Sequence, residues 1–348
     1  MTLFFILGVL AAVVYWMVGG GRPPRKRAGE IIQLHSPESS PRTTVRVLSW
    51  NLAYAHGEGS AGPGYQVKDF RTYTQTLQRM ASVIREARAD IVLLQECDFN
   101  ANRSQSMDQL LFLQQAAGFP QSARALTWEA GHIPYPYWPL RAQFGRMNSG
   151  GGVLSRFPIT LNHVTLLDKP AAMKWFMKPF YLYRFSQEVM VQIGQDNYWF
   201  VNNHWEAFER ECRKGHAEKV VRLIEKNPGK VIAFGGDLNT IPPHAKVQHG
   251  FPGIEFEDYR GDETWSVLSQ MKGFREAIPM QDYDANESKY FTFPAHAPDR
   301  RLDYLFVRDE CAIKSFEILR GEALSDHCPI VAEIALGYPR NGPIPATL

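Results

Sequence analysis

The sequence predicts an α/β protein in which apolar strands alternate with amphipathic helices. Three observations support this fold class. Several strand-like segments are apolar throughout, as expected of sheets that are buried on both faces. Strand-like segments outnumber helical ones. The composition, 45% hydrophobic and 21% charged residues, is that of an ordinary globular protein. The 348 residues are enough for one large domain or two small ones.

The alternation of strands and helices begins at Val45. Strands are predicted for VRVLSW (45–50), IVLL (91–94), GGVLS (151–155), EVMVQIG (188–194), YWFVNNH (198–204), VIAFGG (231–236), LDYLFV (302–307) and PIVAEI (329–334). Helices are predicted for residues 71–88, 104–117 and 213–226. In the first of these, apolar side chains recur at steps of three and four, which places them on one helical face.

The N-terminus predicts a membrane-spanning helix over residues 1–21. Residues 2–18 are uncharged and almost wholly apolar, and three glycines follow; about 20 apolar residues cross a bilayer. A cleaved signal peptide is the alternative, but no charged segment precedes the apolar run. The basic residues come afterwards, in RPPRKR. We therefore expect a single-pass protein with its folded domain on the cytoplasmic side. Since only four charges support this orientation, the opposite side of the membrane stays open.

Residues 22–44 are predicted to be a flexible linker, because they are basic and rich in proline and serine. The folded domain is predicted to span residues 45–337. Residues 338–348, which contain three prolines, are predicted to form a tail.

Charge and cysteine content exclude some classes of protein. Four of the 38 basic residues lie in residues 1–27, which leaves 34 against 36 acidic residues. A large nonspecific nucleic-acid binder usually has a basic excess, so nucleic acid is a disfavoured partner. The four cysteines are far apart and match no zinc-ribbon or disulfide-scaffold spacing, so we expect no dependence on disulfides.

Polar side chains stand at or near the ends of the apolar strands. They are Asn51, Glu96, Asn202, His204, Asp237, Asn239, Asp303, Asp326 and His327. If these positions converge, several carboxylates share one pocket, and their burial requires a cation. Oxygen ligands suit Mg²⁺, with Mn²⁺ possible, rather than zinc. Since Mg²⁺ commonly binds substrate phosphates as well, the pattern predicts phosphate-ester chemistry.

Each feature taken alone has an ordinary structural explanation. Glu96 is compatible with a capped loop, and GGDLN with a tight turn in which the aspartate caps the backbone. Asp303 follows two arginines and could form a salt bridge with one of them. Only the joint order of the motifs favours a catalytic site.

The motifs WNL, QE, GVLSRFPI, NxH, GDxN, RLDYLF and SDHCPI occur in this order over residues 45–335. In this combination the sequence resembles the endonuclease/exonuclease/phosphatase superfamily, which includes nucleases, inositol-polyphosphate phosphatases and neutral sphingomyelinases. The resemblance implies a four-layer α/β sandwich, with two central mixed β-sheets packed face to face and helices outside.

The resemblance also implies roles for individual residues. Glu96 would be the principal metal ligand, with Asn51 beside it and Asp326 supporting the metal or the geometry of the site. Asp237 would orient or deprotonate the attacking water, and Asn239 would hold that water or a phosphate oxygen.

The two histidines complete the implied site. His204, placed by Asn202, would donate to the phosphoryl oxygens, and Asn202 is itself a candidate for binding the phosphate or substrate. His327, oriented by Asp303, would bind phosphate or act as acid–base. Whether Asp237 or His327 is the general base stays open.

Four features of the sequence depart from the family pattern or qualify it. Ala53 stands where nuclease members often have an aspartate. A catalytic tyrosine found in some members has Tyr135 and Tyr137 as its candidates. Arg103 could contact a phosphate, or it could lie in a loop before a helix capped by Ser104. GEGSAG (57–62) matches a dinucleotide-binding pattern but leads into Pro-Gly rather than a helix, so we expect a loop at the pocket rim.

Two segments bear on the substrate. Residues 132–144 and 173–185 are dense in aromatics with scattered cations, which suits a membrane interface, nucleobase stacking or packing against the sandwich. With the predicted anchor, they favour a membrane-tethered, Mg²⁺-dependent phosphodiesterase acting on a lipid-linked or small phosphodiester. The alternatives are a Mg²⁺-dependent endonuclease or exonuclease and a catalytically inactive, membrane-tethered phosphoester-binding module. The oligomeric state stays open.

Overall fold

A computed structural model describes residues 2–18, 23–57, 67–226, 231–252 and 254–337. The helices are α1 (Thr2–Met17), α2 (Phe70–Glu86), α3 (Gln109–Ala117), α4 (Arg210–Glu225), α5 (Thr264–Ser269) and α6 (Met280–Ala285). The strands are β1 (Lys26–Ala28), β2 (Ile31–Gln33), β3 (Thr44–Asn51), β4 (Ile91–Asp98), β5 (Gln121–Ile133), β6 (Gly145–Ser155), β7 (Ile159–Leu166), β8 (Phe185–Ile193), β9 (Asp196–His204), β10 (Val231–Asp237), β11 (His249–Phe251), β12 (Ile254–Asp258), β13 (Phe274–Glu276), β14 (Asp303–Arg308), β15 (Ile313–Ile318) and β16 (Ile330–Ala335).

Two seven-stranded mixed sheets form the centre of the fold. The first has the order β1-β7-β8-β9-β10-β14-β13, and the second has the order β15-β16-β3-β4-β6-β5-β2. In each sheet one central pair is parallel, β9 with β10 and β3 with β4, while the other pairs are antiparallel. The parallel pairs matter for function because their carboxyl ends lie side by side.

The two sheets pack face to face and helices cover their outer faces. One apolar cluster joins Leu93 and Val153 of the second sheet to Phe200 and Leu305 of the first. A second cluster packs α2 and α3 on the second sheet, and a third packs α4 and α5 on the first sheet. The α/β sandwich of two mixed sheets flanked by helices is therefore as predicted, and it explains why the central strands are apolar on both faces.

Local sequence explains the boundaries of helices α2 and α3. Helix α2 begins where the carboxylate of Asp69 accepts a hydrogen bond from the Thr72 amide. The predicted helix over 104–117 is shorter, because Asp108 rather than Ser104 provides its N-cap and Gly118 closes it with a positive φ of 74°. Strands β5 and β7 were not predicted from the sequence; both carry polar residues among their apolar ones.

The N-terminal helix α1 contains 16 residues. At about 1.5 Å per residue such a helix is about 24 Å long, which is short of the roughly 30 Å hydrocarbon core of a bilayer. Among the described residues, no helix combines the length and apolarity needed to cross a membrane. The predicted spanning helix over residues 1–21 is therefore not supported.

The predicted linker, residues 22–44, also contains secondary structure. Strand β1 adds to the edge of the first sheet beside β7, and β2 adds to the edge of the second sheet beside β5. The chain thus crosses from one sheet to the other before the main domain begins, which a free tether would not do. The predicted tail and most of the GEGSAG loop, residues 58–62, lie outside the described residues.

Candidate active site

Polar residues of the first sheet meet at the carboxyl ends of its parallel strands. In the strand register, Asp237 at the end of β10 is the partner of His204 at the end of β9. On its other side Asp237 is the partner of Asp303, the first residue of β14. Three sequence-predicted residues therefore stand on adjacent strands at one level of the sheet.

The loop before β16 adds His327 to this group. Its Nδ1 donates to Asp303 Oδ2 at 2.8 Å, and its Nε2 lies 3.7 Å from Asp237 Oδ2. Burial alone would lower the pKa of His327, but the Asp303 and Asp237 carboxylates outweigh it and raise the pKa to about 10. The imidazole is therefore a cation at neutral pH and stands between two carboxylates.

Asp237 is also tied to the opposite sheet. Asn51, the last residue of β3, donates from Nδ2 to Asp237 Oδ2 at 2.9 Å, and its Oδ1 accepts from the Ala53 amide. Burial raises the pKa of Asp237 to about 6, although the neighbouring His327 cation opposes that rise. This carboxylate is thus mostly ionised at neutral pH but more basic than an exposed aspartate.

The turn after β10 is built for close backbone approach. Gly236 has a φ of 129°, and a Cβ at this position would lie 2.0 Å from the carbonyl oxygen of Asn203. Asn239, with a φ of 52°, donates from its backbone amide to Asp237 Oδ1 and from its side chain to the Trp205 carbonyl. The GGDLN motif is therefore both a tight turn and part of the site.

Glu96 reaches the same cleft from β4. The pairing of β4 with β6 shifts register between Leu94 and Cys97, and Glu96 has a φ of 54° in the left-handed region. Such a conformation is strained for a residue with a side chain. Its Oε1 lies 3.6 Å from His204 Nε2. Burial raises the pKa of Glu96, so the charged form of this carboxylate calls for a compensating cation.

Asp326 and His204 border Glu96. Burial raises the pKa of Asp326 to about 6, and the charge of Glu96 adds to that rise. The pKa of His204 is held well below its usual value by burial and by the Arg184 cation. His204 is therefore neutral, with Nε2 3.5 Å from Asp237 Oδ2.

Among the described residues, one group of three has ligand atoms that lie close enough together to hold a metal ion. It consists of Asp237, Asp303 and His327, whose ligand atoms all lie within 4.8 Å of one another. The predicted ligands Asn51, Glu96 and Asp326 border this group but are not part of it. Glu96 and Asp326 lie beside this group and offer further oxygen ligands.

The comparison with known families agrees with this geometry. The sequence profile of the endonuclease/exonuclease/phosphatase family matches residues 48–327, most of the chain. The chain belongs to this family. The match confirms the resemblance drawn from the motifs. None of the curated proteins compared with the chain matches it.

Solved structures of endonuclease/exonuclease/phosphatase proteins share the fold. A Beutenbergia cavernae protein of that description is 20% identical, with 85% of this chain and 72% of the other covered and a TM-score of 0.60. A Bacteroides thetaiotaomicron mannosyl-6-phosphatase is 17% identical, with 84% and 100% covered and a TM-score of 0.56. TDP2 of D. rerio, complexed with single strand DNA product, is 14% identical, with 85% and 100% covered and a TM-score of 0.53. At these identities the likeness concerns the fold.

Two predicted substrate contacts of this family member lie elsewhere. Asn202 is fully buried between the sheets, where its Nδ2 donates to the Leu94 and Gly152 carbonyls and its Oδ1 accepts from Gln95. Its carboxamide connects the two sheets and does not reach the pocket. Its only connection to His204 is that both residues lie on strand β9.

Arg103 is likewise a structural residue in this family member. Its guanidinium forms two 2.9 Å hydrogen bonds with Asp98, and its side chain is 1% exposed. The ring of Tyr54 covers it, with the centroid 3.5 Å from the guanidinium carbon. A buried, fully paired arginine cannot also bind a phosphate, so the predicted contact is wrong.

The salt-bridge alternative for Asp303 also fails. Arg300 pairs with Glu257 and Asp299, and Arg301 pairs with Glu276. The carboxylate of Asp303 therefore pairs with His327 and not with an arginine. Its Oδ1 has no hydrogen-bond partner among the described residues.

Sequence reasoning missed Arg184, which completes the site of this family member. Its guanidinium donates to His204 and lies 3.8 Å from Glu206, and burial leaves it 6% exposed. Burial alone lowers the pKa of Arg184, but Tyr181 and Glu206 raise it above its usual value. The sequence signal that could have identified Arg184 is its position. It is a charged residue directly before strand β8 and near the end of the aromatic segment 173–185.

Tyrosine positions also differ from the prediction. Tyr137 is exposed, and Tyr135 is partly exposed in the same loop. Tyr54 instead lies close enough to Glu96 for that carboxylate, together with burial, to raise its pKa. It follows Ala53 in a run of three residues with positive φ, which brings the chain back over the cleft after β3.

Replacing Arg184 with alanine is expected to lower kcat by about 10²-fold, the usual effect of removing one preorganised donor. The physical reason is that Arg184 is the cation nearest His204, and it positions that ring beside Glu96. Hydrolysis rates of Arg184→Ala, Arg184→Lys and wild type should be compared. Arg222→Ala is the matched control, because Arg222 is exposed on α4. Full activity of a folded Arg184→Ala protein would remove Arg184 from the site.

Proposed function

We propose that this protein is a divalent-metal-dependent hydrolase of phosphoric esters, in which water attacks phosphorus. The observation that carries the proposal is the convergence of Asp237, His327 and Asp303, with Asn51 reaching Asp237 from the opposite sheet. A base, a buried cation and preorganised donors are the requirements for stabilising a pentavalent phosphoryl transition state.

The residues around Glu96 fit a hard divalent cation. Burial raises the pKa of Glu96, Asp237 and Asp326, so three neighbouring carboxylates carry unfavourable charge at neutral pH. Glu96 and Asp326 would hold Mg²⁺ or Mn²⁺, with the amide oxygen of Asn51 beside them, since oxygen ligands suit these ions. When bound, the cation supplies positive charge that offsets the phosphoryl oxygens.

In the proposed reaction, one side chain of this protein accepts a proton and another donates one. Asp237 is ionised and unusually basic, so it accepts the proton of the attacking water. His327 is already protonated and paired with Asp303, so it donates to a phosphoryl or leaving-group oxygen rather than acting as the base. Neutral His204 accepts a hydrogen bond from Arg184 at Nε2, which fixes its ring beside Glu96 and Asp237. We therefore propose Asp237, and not His327, as the general base.

We further propose a lipid-linked or small phosphodiester as the substrate. Support comes from the apolar residues exposed on α1 and on the two aromatic segments, which suit a protein that works near a bilayer. The mannosyl-6-phosphatase and TDP2 share only the fold, but they make a sugar phosphate and single-stranded DNA informative comparison substrates.

The test is a hydrolysis screen of the full chain in Mg²⁺, in Mn²⁺ and in EDTA. Substrates are bis-p-nitrophenyl phosphate, mannose 6-phosphate, single-stranded DNA, plasmid DNA and phospholipid vesicles. We expect metal-dependent cleavage of the soluble diester and of the vesicles, and loss of both activities in EDTA. Asp309→Asn, an exposed aspartate, is the matched control for site variants.

The outcomes separate the alternatives. Metal-dependent cleavage of DNA with inert vesicles would replace the lipid proposal with a nuclease. Activity that survives EDTA would contradict the metal requirement. Absence of hydrolysis of every ester, with phosphate esters still bound, would leave an inactive binding module.

A further inference from the structure

Exposed large apolar side chains are concentrated in three segments of the chain. Among the described residues, 16 of the 21 exposed large apolar side chains lie within residues 4–16 of α1, the loop 135–140 or the loop 175–177. Phe4, Trp138 and Trp175 are 80%, 78% and 83% exposed. We call these three segments the apolar rim. Apolar exposure on this scale marks an interaction surface.

The three segments lie together in the fold. Trp16 packs against Gly131 of β5 so closely that a Cβ at Gly131 would lie 2.4 Å from the Trp16 carbonyl oxygen. The loop 135–140 leads out of β5. The segment after Trp175 is tied to the same strand, because Trp128 Nε1 donates to the Phe180 carbonyl at 3.1 Å. The rim is therefore one surface region around the end of β5.

A cavity of about 850 Å³ lies beneath the rim, and both Val18 and Trp175 line it. The charged side chains in its wall are Arg25, Arg27, Lys169, Lys178, Glu129 and Asp168. Four basic groups against two acidic groups give the wall a positive balance. A pocket of this charge complements an anion.

The cavity also borders the catalytic residues. Tyr181, in the cavity wall, donates from its hydroxyl to Glu206 at 3.1 Å. The same Glu206 carboxylate faces Arg184, which donates to His204. A chain of polar contacts through Glu206 and Arg184 therefore connects the cavity wall to His204.

We propose that the apolar rim docks this protein on a bilayer and that the cavity receives the headgroup of an acidic phospholipid. Tryptophan and tyrosine beside lysine and arginine are the side-chain chemistry of the membrane–water interface. The positive wall beside the rim complements an acidic lipid surface, which favours a bilayer over a second apolar protein. Helix α1 then lies within the interface, where 16 residues are sufficient. This inference rests on the proposed function only for the identity of the reaction at the neighbouring cleft.

The experiment is vesicle co-sedimentation of the full chain. One set of vesicles contains phosphatidylcholine alone, and the other contains phosphatidylserine in addition. We expect binding to both sets, with tighter binding to the acidic vesicles. The double variant Trp138→Ser, Trp175→Ser should lose binding to both sets on the order of tenfold. The double variant Lys169→Gln, Lys178→Gln should lose on the order of tenfold on acidic vesicles only.

Matched controls use exposed residues outside the rim and cavity. Phe70→Ser on α2 and Lys314→Gln on β15 should sediment as wild type does. Thermal unfolding of each variant verifies that it folds, and loop substitutions at exposed positions leave the core intact. Sedimentation requires no turnover, and hydrolysis of bis-p-nitrophenyl phosphate by the wild-type chain reports the proposed function separately.

Three results would overturn the proposal. The first is a wild-type chain that stays in the supernatant with both vesicle sets while it still hydrolyses the soluble diester. The rim variant could bind as tightly as Phe70→Ser. Size-exclusion chromatography could reveal a dimer that the rim substitutions dissociate, with no vesicle binding, which would assign the surface to a second copy of the chain.

Discussion

Asp237→Asn is expected to lower kcat by about 10²- to 10⁴-fold, the range for loss of a positioned general base. Asn51 Nδ2 can still donate to the amide oxygen of the new side chain, which keeps the connection between the sheets, while the Asn239 amide loses its acceptor. Thermal unfolding verifies that the variant folds. Steady-state hydrolysis of bis-p-nitrophenyl phosphate in saturating Mg²⁺ measures the effect. Asp309→Asn serves as control and should keep wild-type rates.

A companion variant separates the two candidates for the base. His327→Gln removes the imidazole cation but leaves Asp237 in place. If His327 donates to the leaving group, then a substrate whose leaving group needs no proton should be less affected by His327→Gln than by Asp237→Asn. The reverse order of effects would assign the base to His327 and refute the role given to Asp237.

Glu96→Gln is expected to weaken Mg²⁺ or Mn²⁺ binding at least about tenfold and to lower activity at subsaturating metal accordingly. The substitution keeps the size of the side chain but removes the charge that a divalent cation neutralises. Isothermal titration calorimetry of the metal alone provides a readout that does not depend on turnover. Glu317→Gln, at an exposed position on β15, is the matched control.

The same substitution has a second expected consequence. Because burial raises the pKa of Glu96, its ionised form opposes folding at neutral pH when no cation compensates it. Metal-free Glu96→Gln should therefore be at least as stable as the metal-free wild type in urea denaturation. A marked loss of stability, or unchanged metal affinity, would contradict Glu96 as a metal ligand.

Where the chain is regular, the motifs identified residues that the structure brings close together. Asp237 and His204 are placed by the ends of parallel strands, and that geometry follows from strand periodicity once the strands are known. Asn51, at the end of β3, reaches them because the two sheets pack face to face. In these cases local sequence and tertiary structure point to the same cleft.

The predictions failed where side-chain direction or long-range pairing decides the outcome. Asn202 and Arg103 are polar residues close to motifs, yet the side chains of both form buried hydrogen bonds within the protein. Sequence spacing does not reveal these bonds. Arg184 was overlooked because its partners, His204 and Glu206, are about 20 residues away along the chain. The short strands β1 and β2 form only because sheet edges are available to pair with them.

The sequence by itself determined the family, the alternation of strands and helices and the set of acid, amide and imidazole groups, because periodicity and motif order are local properties of the chain. Tertiary structure alone decided which of those groups face one cleft. It bent β4 into a register shift that aims Glu96, brought His327 Nδ1 within 2.8 Å of Asp303 Oδ2, and gathered the apolar rim beside a positively charged cavity. Those outcomes depend on burial and on contacts between distant segments, which no local pattern encodes.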